Sequence, residues 1–133
     1  MDSLRANGID IEYVNIDRKI SHSQIFYLFD ISDVYLMLHR VSIFDFSTLE
    51  AMANGKAVIL SDIYGNREFD VDENILLINE KTPVERIKCY VDQKEKFGKK
   101  NKDIYEKYFG KTAFEKMYAD FLNHFIDKVE NNV

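Results

Sequence analysis

Between Leu38 and Phe69 the chain gathers the side chains best suited to hold an anion. An apolar run, Val34-Tyr35-Leu36-Met37-Leu38, stops at the polar pair His39-Arg40, and Ser42, Asp45, Phe46, Ser47, Thr48 and Glu50 follow it closely. Ser47-Thr48-Leu49-Glu50 has the serine-x-x-glutamate form of a capping box, which predicts a helix starting near Ser47. The first turn of a helix leaves backbone N–H groups unpaired, and with the helix dipole they attract negative charge. A strand running into such a helix therefore makes a phosphate site at the carboxyl edge of its sheet. Each residue also has a plainer reading. Glu50 can reach back to the Ser47 N–H, Ser47 and Thr48 can cap the helix, and Arg40 can pair with Asp45 at the surface. Glu68, in the later Gly65-Asn66-Arg67-Glu68 loop, can contact a bound ligand or act as a first-turn helix carboxylate, and the second is the favoured reading.

The elements that must position these residues follow from hydrophobic period. The helix from Ser47 is predicted to stop at Asn54-Gly55, where glycine takes the left-handed C′ conformation. Ala57-Val58-Ile59-Leu60 is apolar on both faces, as a parallel strand between helices should be. Ile9 to Val14 alternates apolar and polar residues, and Asn74-Ile75-Leu76-Leu77-Ile78 is a further apolar run. Strands are thus expected near 11–14, 34–38, 57–60 and 74–78. Met1 to Asn7 reads as a helix end with Gly8 at C′. Ser21 to Phe29 reads as a helix capped by Ser21 that turns Ile25, Phe26, Leu28 and Phe29 inward, with His22 exposed in its first turn and Asp33 in the turn that follows. Pro83 is placed at the first position of another helix, and Lys94 to Lys102 as a solvated helix face and a turn around Gly98. From Phe114 to Val129 a sustained apolar stripe predicts a long C-terminal amphipathic helix. Strands alternating with helices give an α/β domain with a parallel sheet and helices on both faces.

Composition narrows the function classes. The chain has 133 residues, enough for one domain with a single core, so residues 1–133 are taken as one unit. A net charge of −5 with no basic stripe argues against nucleic-acid binding. The lone Cys89, read as a half-buried side chain, can form neither an internal disulfide nor a metal cluster, so no metal site is expected. No apolar run has membrane-spanning length, and a cytoplasmic location is expected, with peripheral membrane attachment as an alternative.

The organising stretch resembles the donor-site segment of the retaining GT-B glycosyltransferases. Glu50-Ala51-Met52-Ala53-Asn54-Gly55-Lys56-Ala57-Val58-Ile59 follows the family text, with Ala57 where proline is common. Ser61-Asp62 and Gly65-x-x-Glu68 match its next loop, and Leu38-His39-Arg40 with Gly65-Asn66 resembles one subgroup. The likeness runs from about Ile11 to Ile78. It implies a Rossmann-like fold, part of a GT-B C-terminal domain that lacks its first strands and the acceptor domain. It also implies a nucleotide-diphosphate sugar as donor substrate, with no resident cofactor, used in glycan or polysaccharide synthesis. The donor contacts implied are His39, Arg40, Ser42, Asp45, Phe46, Ser47, Thr48 and Glu50, with Glu50 on the nucleotide ribose. The sequence departs from the pattern in two places. Ser42 stands where the family has the glutamate that contacts the transferred sugar, and Asp45 replaces a glycine of the loop beside the diphosphate.

Three functions are compatible with this reading. The chain is the donor-binding half of a glycosyltransferase, inactive alone, or a degenerate non-catalytic subunit that acts through protein contacts, or an unrelated doubly wound domain such as a phospho-receiver. The last requires clustered aspartates after the first strand and a downstream Lys-Pro, which the sequence lacks. A partner is expected, either another copy or a second polypeptide that supplies the missing half. The alternative is a monomer whose last helices fold back over their own sheet.

Overall fold

The computed structural model describes residues 5–8, 12, 19–41 and 44–131. Three strands, β1 (Val34–Met37), β2 (Ala57–Ser61) and β3 (Leu76–Ile78), form a parallel sheet in that order. Val34 lies opposite Ala57 and Met37 opposite Leu60, while Ile59 lies opposite Leu76 and Ser61 opposite Ile78. Leu38, Asn74 and Ile75, expected within strands, flank them instead. The strand expected at 11–14 falls outside the described residues.

Helices cover both faces of the sheet. On one face α1 (His22–Ile31) and α2 (Phe46–Ala53) pack Phe29, Ala51 and Met52 against Val58 and Leu60. On the other, Tyr90 of α4 (Val84–Asp92) covers Ala57, Ile59 and Leu76, with Ile87 and Val91 beside it. Every residue from Ala57 to Leu60 is buried, which is why β2 reads as an unbroken apolar run. The short α3 (Tyr64–Arg67) follows β2, with buried Phe69 just beyond it.

Local chemistry explains most of the boundaries. Ser21 caps α1 in a full capping box, but the partner is Gln24 and the helix runs on to Ile31. Phe29 is buried and Ile25 packs against the core, whereas Phe26, expected to point inward, is exposed. Gly55 ends α2 at φ +68; its N–H donates to Met52 O, and the Lys56 N–H donates to Ala51 O, the paired bonds of a Schellman turn. Gly8 takes φ +78 after the helical residues Arg5 and Ala6, as expected. Pro83 stands immediately before α4, not at its first position, and Cys89 is exposed, not half-buried.

The largest correction concerns Gly98. No turn occurs there: α5 (Lys94–Ile104) runs straight through, with Gly98 buried against the Gly55 turn. A wider turn of π-helix, Tyr105–Phe109, then continues from α5, closed by the Gly110 N–H donating to Tyr105 O at 2.7 Å. After Gly110 the chain forms α6 (Lys111–Asn131), the expected C-terminal amphipathic helix. It does not fold back over the sheet: none of its residues is buried, and it touches the domain mainly along the π segment.

Candidate functional site

The carboxyl ends of the three strands share one edge, and side chains tie their loops together there. The Ser61 hydroxyl donates to His39 O at 2.6 Å, joining the exits of β2 and β1. The Asp62 N–H donates to Ile78 O at 2.7 Å, joining β2 to β3. Asn66, fully buried, donates from Nδ2 to Ser61 O at 2.8 Å, while its Oδ1 is buried without a hydrogen-bond partner. Arg67 Nε pairs with Asp62 Oδ1 at 2.7 Å across the mouth of the same loop. The Gly65-Asn66 motif therefore braces the edge from inside. Glu68 is exposed at the end of α3, so it does not serve as a first-turn carboxylate.

The helix start at this edge differs from the sequence reading in one decisive respect. Asp45, not Ser47, is the N-cap of α2. Its Oδ1 accepts from the Ser47 N–H at 3.3 Å, and its Oδ2 accepts from Ser47 Oγ at 2.8 Å and Thr48 Oγ1 at 3.1 Å. The Tyr35 hydroxyl lies 2.7 Å from Ser47 Oγ and 3.2 Å from Asp45 Oδ2. Sequence spacing favoured Ser47 because it matches a capping box, but aspartate caps as well as serine does, and Tyr35 reaches from β1 to hold it. The Arg40–Asp45 ion pair is not formed, and Arg40 is exposed. Tyr35 escaped the sequence reading because it sits inside an apolar run; only its alternation with Leu36 signalled that it faces α2.

With Asp45 in the cap, Glu50 is released from that duty. It stands too far along α2 to reach the N-cap backbone, and its partly exposed carboxylate has His22 Nδ1 at 3.9 Å. His22 is exposed in the first turn of α1, as expected, yet it leans over the same patch. Phe46 is exposed beside it, and Phe44 stacks on Phe69 at 4.6 Å and meets Phe46 edge-on at 6.4 Å. Stacking on a buried ring fixes the loop that enters α2. The structure thus gathers Asp45, Ser47 and Thr48 around one helix start, with Phe46 and Glu50 on the same helix. His39 and Arg40 leave β1 at that edge. Ser42 lies outside the described residues.

Charge follows from this geometry. Burial pushes the Asp45 carboxyl up, but the hydrogen bonds from Ser47, Thr48 and Tyr35 outweigh it and hold the group below the usual carboxylate range. Burial pushes the Tyr35 hydroxyl up to about 12. The helix start therefore carries a fixed negative charge at neutral pH. Because the folded state lowers the Asp45 pKa, its contribution to stability is complete above the unfolded value and is lost as pH falls through the folded one. Asp45→Asn, which retains a capping oxygen, is expected to flatten the acid limb of a stability–pH curve; an unchanged limb in acid denaturation would show that Asp45 is not held this way. Among the described residues no three His, Cys, Asp or Glu side chains come together to hold a metal ion. None of the described helices is long and apolar enough to cross a membrane.

Residues 12–111 match the family model described as glycosyl transferases group 1. Comparisons with curated proteins and with solved structures returned no match.

Proposed function

This chain belongs to the group 1 glycosyl transferases, and from that premise we propose that it binds a nucleotide-diphosphate sugar at the carboxyl edge of its sheet, as the donor-binding part of a glycosyl-transferring assembly for glycan or polysaccharide synthesis. The observation that carries the reading is the release of Glu50. Its side chain is partly exposed, at 33%, and free of the capping role, on a helix that starts at this edge. Such a carboxylate can accept hydrogen bonds from both hydroxyls of a ribose. Phe46, exposed on the first turn, offers a flat apolar surface alongside, and Arg40 at the end of β1 offers a cation to the phosphates. The donor is a substrate, and the reading calls for no resident metal or cofactor. Transfer requires an acceptor held within reach of the donor carbon, so activity is assigned to an assembly with a second polypeptide or another copy, not to this domain alone.

A second reading is favoured by Asp45. Its carboxylate fills the helix start that would otherwise receive a phosphate, and two like charges this close repel even with solvent screening. A degenerate subunit that has lost donor binding and acts through protein contacts accounts for this equally well. Calorimetric titration with nucleoside diphosphates separates the two. Under the first reading the chain binds weakly, and Glu50→Ala weakens binding by about tenfold or more, the worth of a hydrogen bond to a charged group. Asp45→Asn strengthens it by up to about tenfold, because a cap oxygen remains while the charge is gone. Tight binding that ignores Glu50→Ala would move the site elsewhere. No binding to either the native chain or Asp45→Asn would leave the degenerate subunit.

A further inference from the structure

We propose that Phe109, inside the π segment, is a positioning residue for the candidate site: through Phe44 it holds the loop that sets the start of α2. This deepens the donor-binding reading and, for its effect on affinity, rests on it. The ring reaches that loop through a cluster of three. Phe44 stacks on buried Phe69 at 4.6 Å, and the Phe109 ring tilts against both, 6.3 Å from Phe44 and 6.2 Å from Phe69. Offset and tilted pairs are the favourable geometries for aromatic rings, so the cluster fixes orientation as well as distance. Phe44 directly precedes Asp45, whose carboxylate caps α2 and accepts from Ser47 and Thr48. Phe46, which meets Phe44 edge-on, directly follows the cap. A shift of Phe44 therefore moves the cap, the exposed Phe46 ring and the first turn of α2 together.

The π turn is what brings Phe109 to this place. Along α5 the inward series runs Asn101 and Ile104, both buried, and then Tyr105, which packs against the core. At 3.6 residues per turn, a continuous α-helix would put Tyr108 at the centre of that face and Phe109 at its margin. The structure shows the reverse. Tyr108 is exposed, with Lys107 Nζ over its ring at 4.9 Å, and Phe109 packs against the core cluster. The wider i→i+5 turn, closed by the Gly110 N–H on Tyr105 O, moves the inward position on by one residue. Such turns occur frequently at functional sites, and this one aims a ring at the loop of the candidate site. The π segment also packs against α2 itself, so helix and loop are held from one side by the same short stretch.

Amide hydrogen exchange on the intact chain, with calorimetric titration of a nucleoside diphosphate, tests the proposal. Phe109→Ala is expected to speed exchange of the Ser47 N–H, which donates to Asp45 Oδ1, by about tenfold or more relative to the amides of β2. Exchange in β2 reports opening of the whole domain, so a residue that merely stabilised the fold would speed both alike. Nucleoside diphosphate affinity of the folded protein should fall about threefold or more, as the fraction of molecules with the loop in place declines. Phe109→Tyr retains the ring and should restore both values. Tyr108→Ala, one residue away but outside the cluster, should alter neither. Should Phe109→Ala fail to fold, Phe109→Leu keeps an apolar side chain there without the ring, and a selective rise of about threefold is expected at Ser47. Equal acceleration at Ser47 and β2 overturns the proposal, and so does a Tyr108→Ala variant that behaves like Phe109→Ala. Native affinity beside faster Ser47 exchange overturns it too, since the loop would then not bear on the ligand. If the native chain binds no nucleotide, the donor reading fails by itself, and exchange at Ser47 still decides whether Phe109 holds the start of α2.

Discussion

Gly98→Ala is expected to remove a large share of the domain's stability. A Cβ at this position would lie 2.1 Å from Gly55 O and 3.0 Å from Gly55 C. Both are backbone atoms of the turn that ends α2, and no rotamer change can relieve the overlap. To make room α5 must move away from β2. Asn101, one turn further along α5, would move with it and lose its bonds to Lys56 O and Asn74. Overpacking costs ~1–3 kcal/mol and each of the two buried groups left unpaired another ~1–3 kcal/mol, so the expected loss is about 3–9 kcal/mol. That is a large share of the ~5–15 kcal/mol that holds a domain folded. Helix propensity alone predicts the opposite, a gain of about 1 kcal/mol for alanine over glycine inside a helix. Gly110→Ala is the control: the nearest atom to its added Cβ is at 3.4 Å, so little should change. Urea unfolding decides the matter, and a Gly98→Ala midpoint equal to that of the native chain would show that α5 and the Gly55 turn do not meet this closely.

The same glycine shows where sequence reading reaches its limit. Gly98 lies among lysines with weak apolar periodicity, and a glycine in such company reads as a turn. Its role as a contact point depends on which backbone passes across it, and that is set by residues far away in the chain. Gly55 was legible because a C′ glycine is a local feature, written in the Asn54-Gly55 pair and the strand that follows. Val34–Met37 and Ala57–Ser61 were legible because apolar runs between polar stops need no tertiary information. The cap of α2 was not. Asp45 and Ser47 both suit the position, and the choice rests on the Tyr35 hydroxyl arriving from β1. Phe44 packing on Phe69 likewise joins two loops that periodicity treats separately. The family segment from Glu50 to Ile59 marked the right edge of the sheet, yet only the fold showed that the Glu50 carboxylate is not consumed by capping.

Asn101→Ala should produce the second large loss, at the opposite edge of the sheet from the candidate site. Asn101 is fully buried; its Nδ2 donates to Lys56 O at 2.8 Å and its Oδ1 accepts from Asn74 Nδ2 at 2.8 Å. Asn74, also fully buried, accepts the Val71 N–H at its Oδ1. The Tyr90 hydroxyl donates to Asn74 O and accepts from the Val58 N–H, both at 3.1 Å. Three residues from three separate segments thus pair the backbone groups left over where β2 and β3 begin. Alanine at 101 leaves Lys56 O and Asn74 Nδ2 buried and unpaired, at ~1–3 kcal/mol each, for about 2–6 kcal/mol in all. Asn101→Asp is the sharper variant: it can still accept from Asn74 but sets a carboxylate against Lys56 O, so it should be no better than alanine. Tyr90→Phe should show its effect on the alkaline side as well. Burial pushes the Tyr90 hydroxyl from 10.0 up to about 12. The folded state therefore favours the protonated phenol, and its stabilisation is complete below pH 10 and lost as pH rises through about 12. Tyr90→Phe should lower stability at neutral pH and make its decline above pH 10 shallower, with Tyr35 supplying what remains. Because the network lies at the amino ends of the strands, nucleotide affinity measured on the folded fraction should be unchanged in all three variants. A variant that lost affinity while keeping its stability would place the network within the binding site, and the division of this sheet into a bracing edge and a binding edge would then be wrong.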